Sequence, residues 1–372
     1  MSHLLVTNDF PPKTGGIQSY LWELWRRIDP ASFTVLTPAH PRSDAWDAEQ
    51  PFRVVRTPRR VLLPTPALAR SIDELAAATG ASLVLLDPAL PVGLVGPRLD
   101  RPYGVVLHGA EVTVPGRLPV TSSLLGQVLR GASEVVAAGG YPAAEGERAA
   151  GRPLPVTVIP PGVDTRRFVP LGAEARAKAR ALFDLPADGR VVVSVSRLVP
   201  RKGMDVLISA AARLAPTRPD LVVAIGGTGR DRARLERLVD RTGAPVRLLG
   251  RVPDADLPAL YGCADVSAML CRDRWAGLEQ EGFGIVFVEA AACGVPVVAG
   301  ASGGAAEAVE DGRTGLVVGD PRDAGAVAGA LVRLLDDPAV ATGLGRAGRQ
   351  RAESELSYDV LAARLRHVVD RW

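Results

Sequence analysis

Two carboxylates stand eight positions apart in Glu281-Gly282-Phe283-Gly284-Ile285-Val286-Phe287-Val288-Glu289, with two glycines between them ahead of an apolar run. Glycines let a backbone approach a ligand closely. A helix beginning at the apolar run offers free N–H groups to an anion or to sugar oxygens. Glu281 then falls in the loop and Glu289 about one turn inside the helix. Both can face one ligand, Glu281 on a hexose and Glu289 on a ribose diol. A plainer reading competes, in which Glu281 caps the helix and Glu289 is solvated on its side.

Three further clusters carry chemistry. Ser196-Arg197-Leu198-Val199-Pro200-Arg201-Lys202-Gly203 follows an apolar run. Arg197 and Lys202 there can clamp a diphosphate, the arginine bidentately and the lysine as a point charge. Both are expected as surface groups; a solvated loop is the alternative. Pro11-Pro12-Lys13-Thr14-Gly15-Gly16-Ile17-Gln18 opens a helix with a glycine pair, which reads as a phosphate cradle or as a tight turn. It has neither the GxGxxG nor the Walker ending. His108-Gly109-Ala110-Glu111 places one of the chain's four histidines after another apolar run, as a reacting group or as a hydrogen-bonded structural histidine.

These clusters need a scaffold. Short apolar runs recur at Leu4–Thr7, Thr34–Thr37, Leu83–Leu86, Gly104–Leu107, Val135–Ala138 and Val156–Ile159. After Pro160-Pro161-Gly162-Val163-Asp164 the series restarts at Val191–Val195, Leu221–Ile225, Val246–Leu249, Val266–Leu270, Pro296–Ala299 and Leu316–Val318. Uninterrupted apolar runs mark parallel strands covered on both faces, and the segments between them are long enough for crossover helices. The expectation is two doubly wound α/β domains, residues 1–165 and 170–355, with a hinge near 162–172. The amphipathic stretch 356–372 returns to the first domain. Helices are expected at Glu174–Leu185 and at Asp254–Gly262, the latter with Asp254 as N-cap. Ligands of such sheets bind at the carboxyl ends of the strands, so all four clusters are expected to converge on one cleft.

Composition excludes several classes. The net charge is +3, from 44 basic against 41 acidic residues, too small a surplus for a nucleic-acid partner. Cys263, Cys271 and Cys293 are odd in number and lack CxxC spacing, as reduced cytoplasmic thiols would be. No apolar run reaches the ~20 residues that span a bilayer. The chain opens in an apolar strand without a basic leader, so the expectation is a cytoplasmic protein held peripherally at the inner face of the cell membrane. Neither half has GxGxxG after its first strand, which disfavours a nicotinamide-dependent oxidoreductase.

With Glu281 and Glu289 matching an EX7E signature, the chain resembles glycosyltransferase family 4 over nearly its whole length. Ile159–Asp164, Gly226–Gly229, and Gly303-Gly304 with Glu307 fall in that family's order. Within it, Thr7-Asn8-Asp9-Phe10-Pro11-Pro12, Gly15–Tyr20 and Cys271–Glu279 resemble the actinobacterial mannosyltransferases that build phosphatidylinositol mannosides. Pro161 stands where that family usually has Asn, Ala137–Tyr141 lacks the usual hydroxyl residues, and residues 31–60 run short.

The resemblance implies the GT-B fold, two Rossmann-like domains facing across a cleft. It also implies a retaining enzyme that takes a nucleotide-sugar donor, GDP-mannose, and a glycolipid acceptor at a membrane surface, without a metal cofactor. Arg197 and Lys202 would neutralise the leaving diphosphate. Glu281, with the N–H groups of Phe283 and Gly284, would hold the sugar, and Glu289 the ribose. Gly15 and Gly16 would approach the phosphate, and His108 would lie beside the sugar near its reacting carbon. Val252, Asp254 and Ile285 complete the donor set, with Asp254 near the base. No covalent nucleophile stands out, which points to front-face attack assisted by the leaving phosphate. Asp254-Ala255-Asp256 matches a metal-binding DXD only superficially. Arg56, Arg59 and Arg60 beside Val61–Leu63 read either as a membrane contact or as a solvated rim around a buried strand. Rival readings are a UDP-sugar donor with a small soluble acceptor, and a non-catalytic binding module.

Overall fold

The structure, a computed structural model, describes residues 2–372 apart from Ala276 and the side chain of Ala110. Ala276, within the Cys271–Glu279 stretch quoted above, lies outside the described residues. The chain divides into two compact units, Met1–Pro161 with Tyr358–Trp372, and Gly162–Ser357.

In the first unit, β1 (Ser2–Thr7), β2 (Phe33–Pro38), β3 (Arg53–Thr57), β4 (Ala81–Asp87), β5 (Tyr103–Leu107), β6 (Glu134–Ala137) and β7 (Val156–Val158) form a parallel sheet in the order β3-β2-β1-β4-β5-β6-β7. Leu4, Leu5 and Val6 of β1 are all fully buried. Both faces of the strand are therefore covered, which is why the run is apolar without alternation. The order reverses between β1 and β4, where Thr7 and Asp87 stand in register at the strand ends. Helix Tyr358–Val369 packs on helix Gly16–Trp25 and buries Leu361 and Leu365 completely, each worth about 1.5–3 kcal/mol.

Strand β3 is absent from the sequence expectation. It lies at the sheet edge and carries Arg53 and Arg56, as edge strands often carry charge, so its pattern reads as a rim. Val61–Leu63 is no strand; Leu62 is buried while Val61 and Leu63 are about half exposed, at 49% and 54%. Arg56 does not belong to a membrane patch. It pairs with Asp47 at 2.7 Å and donates to the carbonyls of Pro38 and Pro11, tying helix Ser43–Ala48, the end of β2 and the loop at Pro11 together. Arg59 and Arg60 are exposed.

In the second unit, β8 (Arg190–Val195), β9 (Leu221–Gly226), β10 (Val246–Gly250), β11 (Val266–Met269), β12 (Val297–Gly300) and β13 (Gly315–Val318) are parallel in the order β10-β9-β8-β11-β12-β13. This order reverses between β8 and β11. The segment that begins the unit is held by Val163 N–H donating to Leu356 O at 3.0 Å and by Arg349 donating to the carbonyls of Thr165 and Phe168. The helix expected at Glu174–Leu185 spans Ala173–Leu182. Asp254 caps no helix: Asp254–Asp256 is a 3-10 turn without a side-chain cap, and the α-helix runs Leu257–Gly262. Pro258, in the first turn of that helix, has no N–H to cap.

Candidate active site

In the first unit the switch point of the sheet carries a hydrogen-bonded row. Asp87 is wholly buried at the end of β4. Its Oδ2 accepts from Thr7 Oγ1 at 2.5 Å and its Oδ1 lies 2.6 Å from His108 Nε2. Asp9 N–H donates to Thr7 Oγ1 at 2.8 Å. The Tyr20 and His108 rings meet edge to face with centroids 5.5 Å apart, and the Tyr20 hydroxyl donates to Ile159 O at 2.7 Å. His108 is thus fixed on one nitrogen by a carboxylate that is itself fixed. Burial works against a charge on the imidazole, but the Asp87, Glu111 and Asp9 carboxylates outweigh it and raise its pKa.

Glu111 folds back to accept from the N–H groups of His108 at 2.5 Å and Gly109 at 2.9 Å. That start of helix Ala110–Arg117 is therefore already neutralised. Helix Gly16–Trp25 differs: Gly15 supplies no side-chain cap and its first turn holds no acid. Its free N–H groups suit an anion. Asp9 Oδ1 accepts from Lys13 Nζ and Gln18 Nε2, both at 2.6 Å, and so ties the two sides of the glycine turn together.

In the second unit Lys202 closes a 3-10 turn after β8, and Gly203 follows with φ +70°. A Cβ there would stand 2.0 Å from Leu270 O, so only glycine lets this turn pack against the loop after β11. Lys202 is not the surface group expected: it is buried, and its Nζ lies 2.5 Å from Glu281 Oε2. The same oxygen accepts from Arg201 at 2.8 Å and from Cys271 Sγ at 3.2 Å. Burial alone would favour the neutral acid. Lys202 and Arg201 overrule it and bring the Glu281 pKa down to about 2. Among the described residues Glu281 Oε1 has no hydrogen-bond partner. Arg197 is exposed and, among the described residues, makes no side-chain hydrogen bond or ion pair.

The loop bearing Glu281 is positioned by its neighbours. Ser302 Oγ accepts from Glu281 N–H at 3.2 Å and donates to Asp273 at 2.6 Å, while Gly304 N–H donates to Glu281 O at 2.9 Å. A Cβ on Gly304 would lie 2.0 Å from Gly282 O. Gly284, at φ +90°, turns the chain into helix Ile285–Ala292, which has no side-chain cap. Glu281 therefore does not cap this helix. Glu289 is not a solvated helix residue either. It is half-buried, accepts from the Tyr261 hydroxyl at 3.0 Å, and has its pKa raised to about 7 by burial, against the opposing pull of Tyr261 and Arg167. Phe283 is buried, and Val252 and Ile285 are half-buried. The Asp254 carboxylate is 2.8 Å from Arg167 and largely exposed.

Sequence reasoning missed Asp87, Thr7, Arg201, Cys271 and Ser302 in these arrangements. Asp87 carried a readable signal, a carboxylate at the carboxyl end of an apolar run, the same signal that singled out His108. Cys271 carried none, because nothing local shows that a thiol will meet a carboxylate.

Residues 14–167 match the model for Glycosyltransferase Family 4, and residues 176–351 that for Glycosyl transferases group 1. The chain is 42% identical to the GDP-mannose-dependent alpha-(1-6)-phosphatidylinositol monomannoside mannosyltransferase of Mycolicibacterium smegmatis, over 97% of this chain and 96% of that one. It is 37% identical to the GDP-mannose-dependent monoacylated alpha-(1-6)-phosphatidylinositol monomannoside mannosyltransferase of Corynebacterium glutamicum, over 98% and 97%. The fold is similar to that of Anabaena HepE solved with UDP, with a TM-score of 0.83, 22% identity and full coverage of both chains.

Proposed function

The chain belongs to glycosyltransferase family 4, and from that premise we propose that it transfers mannose from GDP-mannose, with retention, to a phosphatidylinositol mannoside-type glycolipid in an α-1,6 linkage. The observation that carries this reading is an identity of 42% spread over 97% of the chain. Donor and acceptor class both follow from it.

The chemistry assigned to each residue starts from its geometry. Among the described residues the Arg197 guanidinium has no hydrogen-bond or ion-pair partner, so it can give both forks to the donor diphosphate. Lys202 adds positive charge from a fixed position, already oriented by Glu281. Donors fixed before reaction need no reorganisation as charge builds on the leaving phosphate, and each is worth roughly 3–4 kcal/mol of barrier. Glu281 Oε1, with the N–H groups of Phe283 and Gly284, serves the mannose hydroxyls, and Glu289 the ribose. Gly15 and Gly16 serve the phosphate. His108 serves the sugar at its reacting carbon. Val252, Asp254 and Ile285 serve the nucleoside. The leaving diphosphate is neutralised by these cations rather than by a divalent metal.

The test is incubation of the purified protein with phosphatidylinositol monomannoside and labelled GDP-mannose, UDP-glucose or UDP-N-acetylglucosamine, with and without EDTA. A lipid product carrying a new α-1,6-mannose, formed from GDP-mannose alone and unaffected by EDTA, is expected. Transfer from a UDP-sugar to a soluble acceptor would replace this reading.

Among the described residues no helix is long and apolar enough to cross a membrane. We infer peripheral attachment at the inner face of the cell membrane through the exposed Arg59, Arg60, Val61 and Leu63. Each arginine near an anionic surface adds about 1 kcal/mol. Replacing Arg59 and Arg60 by Ser should reduce sedimentation with phosphatidylinositol vesicles at low salt; unchanged sedimentation rejects this contact.

A further inference from the structure

The second unit contains a cavity of about 450 Å³ that none of the candidate donor residues lines. It opens at the amino ends of the strands: Arg190 begins β8, Asp265 precedes β11 and Pro296 precedes β12. The candidate donor residues follow the carboxyl ends of the same strands. Strand β8 has six residues, so about 20 Å of sheet separates the two places. The volume falls within the range of small-molecule sites.

The charge on its wall is unbalanced. Arg176, Arg190, Arg346 and Arg349 line it against a single acid, Asp265. That acid is already fully engaged: Oδ1 pairs with Arg176 at 2.6 Å, and Oδ2 with Arg180 at 2.9 Å and Val191 N–H at 2.7 Å. Arg349 is committed to backbone carbonyls and to Glu353. Among the described residues Arg190 and Arg346 make no side-chain hydrogen bond or ion pair. They come from different elements, β8 and helix Pro338–Ser354. One face of that helix, at positions 338, 341, 342, 346 and 349, forms a wall of the cavity. Gly345 fixes its approach, since a Cβ there would lie 2.2 Å from Gly294 O. Apolar side chains, Leu171, Val295, Leu334 and Leu335, line other parts of the wall.

We propose that this cavity is a second ligand site, taking a small phosphate monoester with a compact apolar or aromatic body. Arg190 and Arg346 bind the phosphate and the leucines cover the body. Two unpaired guanidinium groups on one concave wall match a dianion with several acceptor oxygens. The leucines give a fully polar phosphate ester less to gain.

The test is calorimetric titration of the full chain with phenyl phosphate at low ionic strength. Saturable binding is expected in the wild type and in Arg197→Ser, the control for binding at the diphosphate clamp. The Arg190→Ser/Arg346→Ser double variant should bind about tenfold more weakly or worse. Neither arginine makes a side-chain hydrogen bond or ion pair among the described residues, so the fold should survive, which circular dichroism checks. Thr342→Trp, at an exposed position on the wall, should block binding with every charge retained. Glucose 6-phosphate should bind more weakly than phenyl phosphate. Non-saturable binding, loss of binding in Arg197→Ser, or unchanged binding in both cavity variants would overturn the site. Equal affinity for the two esters would overturn the apolar part of the assignment.

Discussion

Both units bury a carboxylate next to a cationic or ionisable partner at the place where their sheet order reverses, but they hold it differently. In the first, Asp87 belongs to β4 and Thr7 to the adjacent β1, paired in register. The sheet itself sets their distance, and His108 is added from the end of β5. In the second, Glu281 lies on a loop without regular structure and meets Lys202 from a turn after β8. Glycine contacts and the Ser302 bridge set that distance. A pair built on strand ends tolerates loss of a charge, because the backbone still holds the place. A pair built on loops has no strand beneath it, so its charges carry more of the load.

The largest test of this difference is Lys202→Ala. It leaves a buried, ionised Glu281 with one cation fewer, which costs about 3–5 kcal/mol of stability, and it removes a fixed charge from the diphosphate, lowering kcat/KM by about 10³. Denaturant melts and steady-state kinetics read the two effects separately. A stable, active variant would break the account of the second unit. Lys202→Met combined with Glu281→Gln should recover stability but not activity.

Arg197→Ala should lower kcat/KM by about 10²-fold with no change in melting temperature, since the exposed side chain makes no hydrogen bond or ion pair among the described residues. A falling melting temperature would show a structural role. Asp87→Asn comes next, with a loss of about tenfold to a hundredfold and little loss of stability, because the amide keeps the contacts to Thr7 and His108. The Asp87 charge helps hold the His108 pKa up, so the limb of the pH–rate profile that follows His108 should move to lower pH. A limb that stays in place would separate His108 from catalysis.

The smallest effect is Glu289→Gln, a several-fold rise in donor KM. Its pH signature is more specific. The Glu289 pKa rises from 4.5 to about 7 on folding, so its proton stabilises the folded state below pH 4.5, and that contribution is lost as pH rises through 7. Over this window the wild type should lose up to ~3 kcal/mol, and Glu289→Gln should flatten the curve. Parallel stability curves would refute the burial of this carboxylate.

The sheet scaffold was legible because buried parallel strands leave a local mark. Each run of the two expected strand series lies on or within a residue or two of an observed strand, whereas Val61–Leu63 forms none and Arg53–Thr57 was missed. That edge strand has solvent on one side and two arginines, so its five residues lack the mark. The candidate site loops were legible as motifs, through glycines ahead of an apolar helix and bases after a strand. Their inner wiring was not. Residue types nominated Arg197 and Lys202 as equivalent, yet one is exposed and unpaired and the other is buried against Glu281. Likewise the three arginines near residue 60 looked alike, and only folding set Arg56 apart by bringing Asp47 to it.

By itself the sequence determined the two series of buried strands, the glycines that precede two helices, and which residue types stand at strand ends. These depend on side chains within a few positions of one another. Tertiary structure alone decided which charges meet. Lys202 and Glu281 are 79 residues apart and His108 and Asp87 are 21 apart, distances over which no periodicity speaks. Whether a charge is buried and paired or exposed and free depends on how closely two loops pack. Here that closeness is set by glycines such as Gly203 and Gly304, whose missing Cβ atoms leave room for a backbone carbonyl.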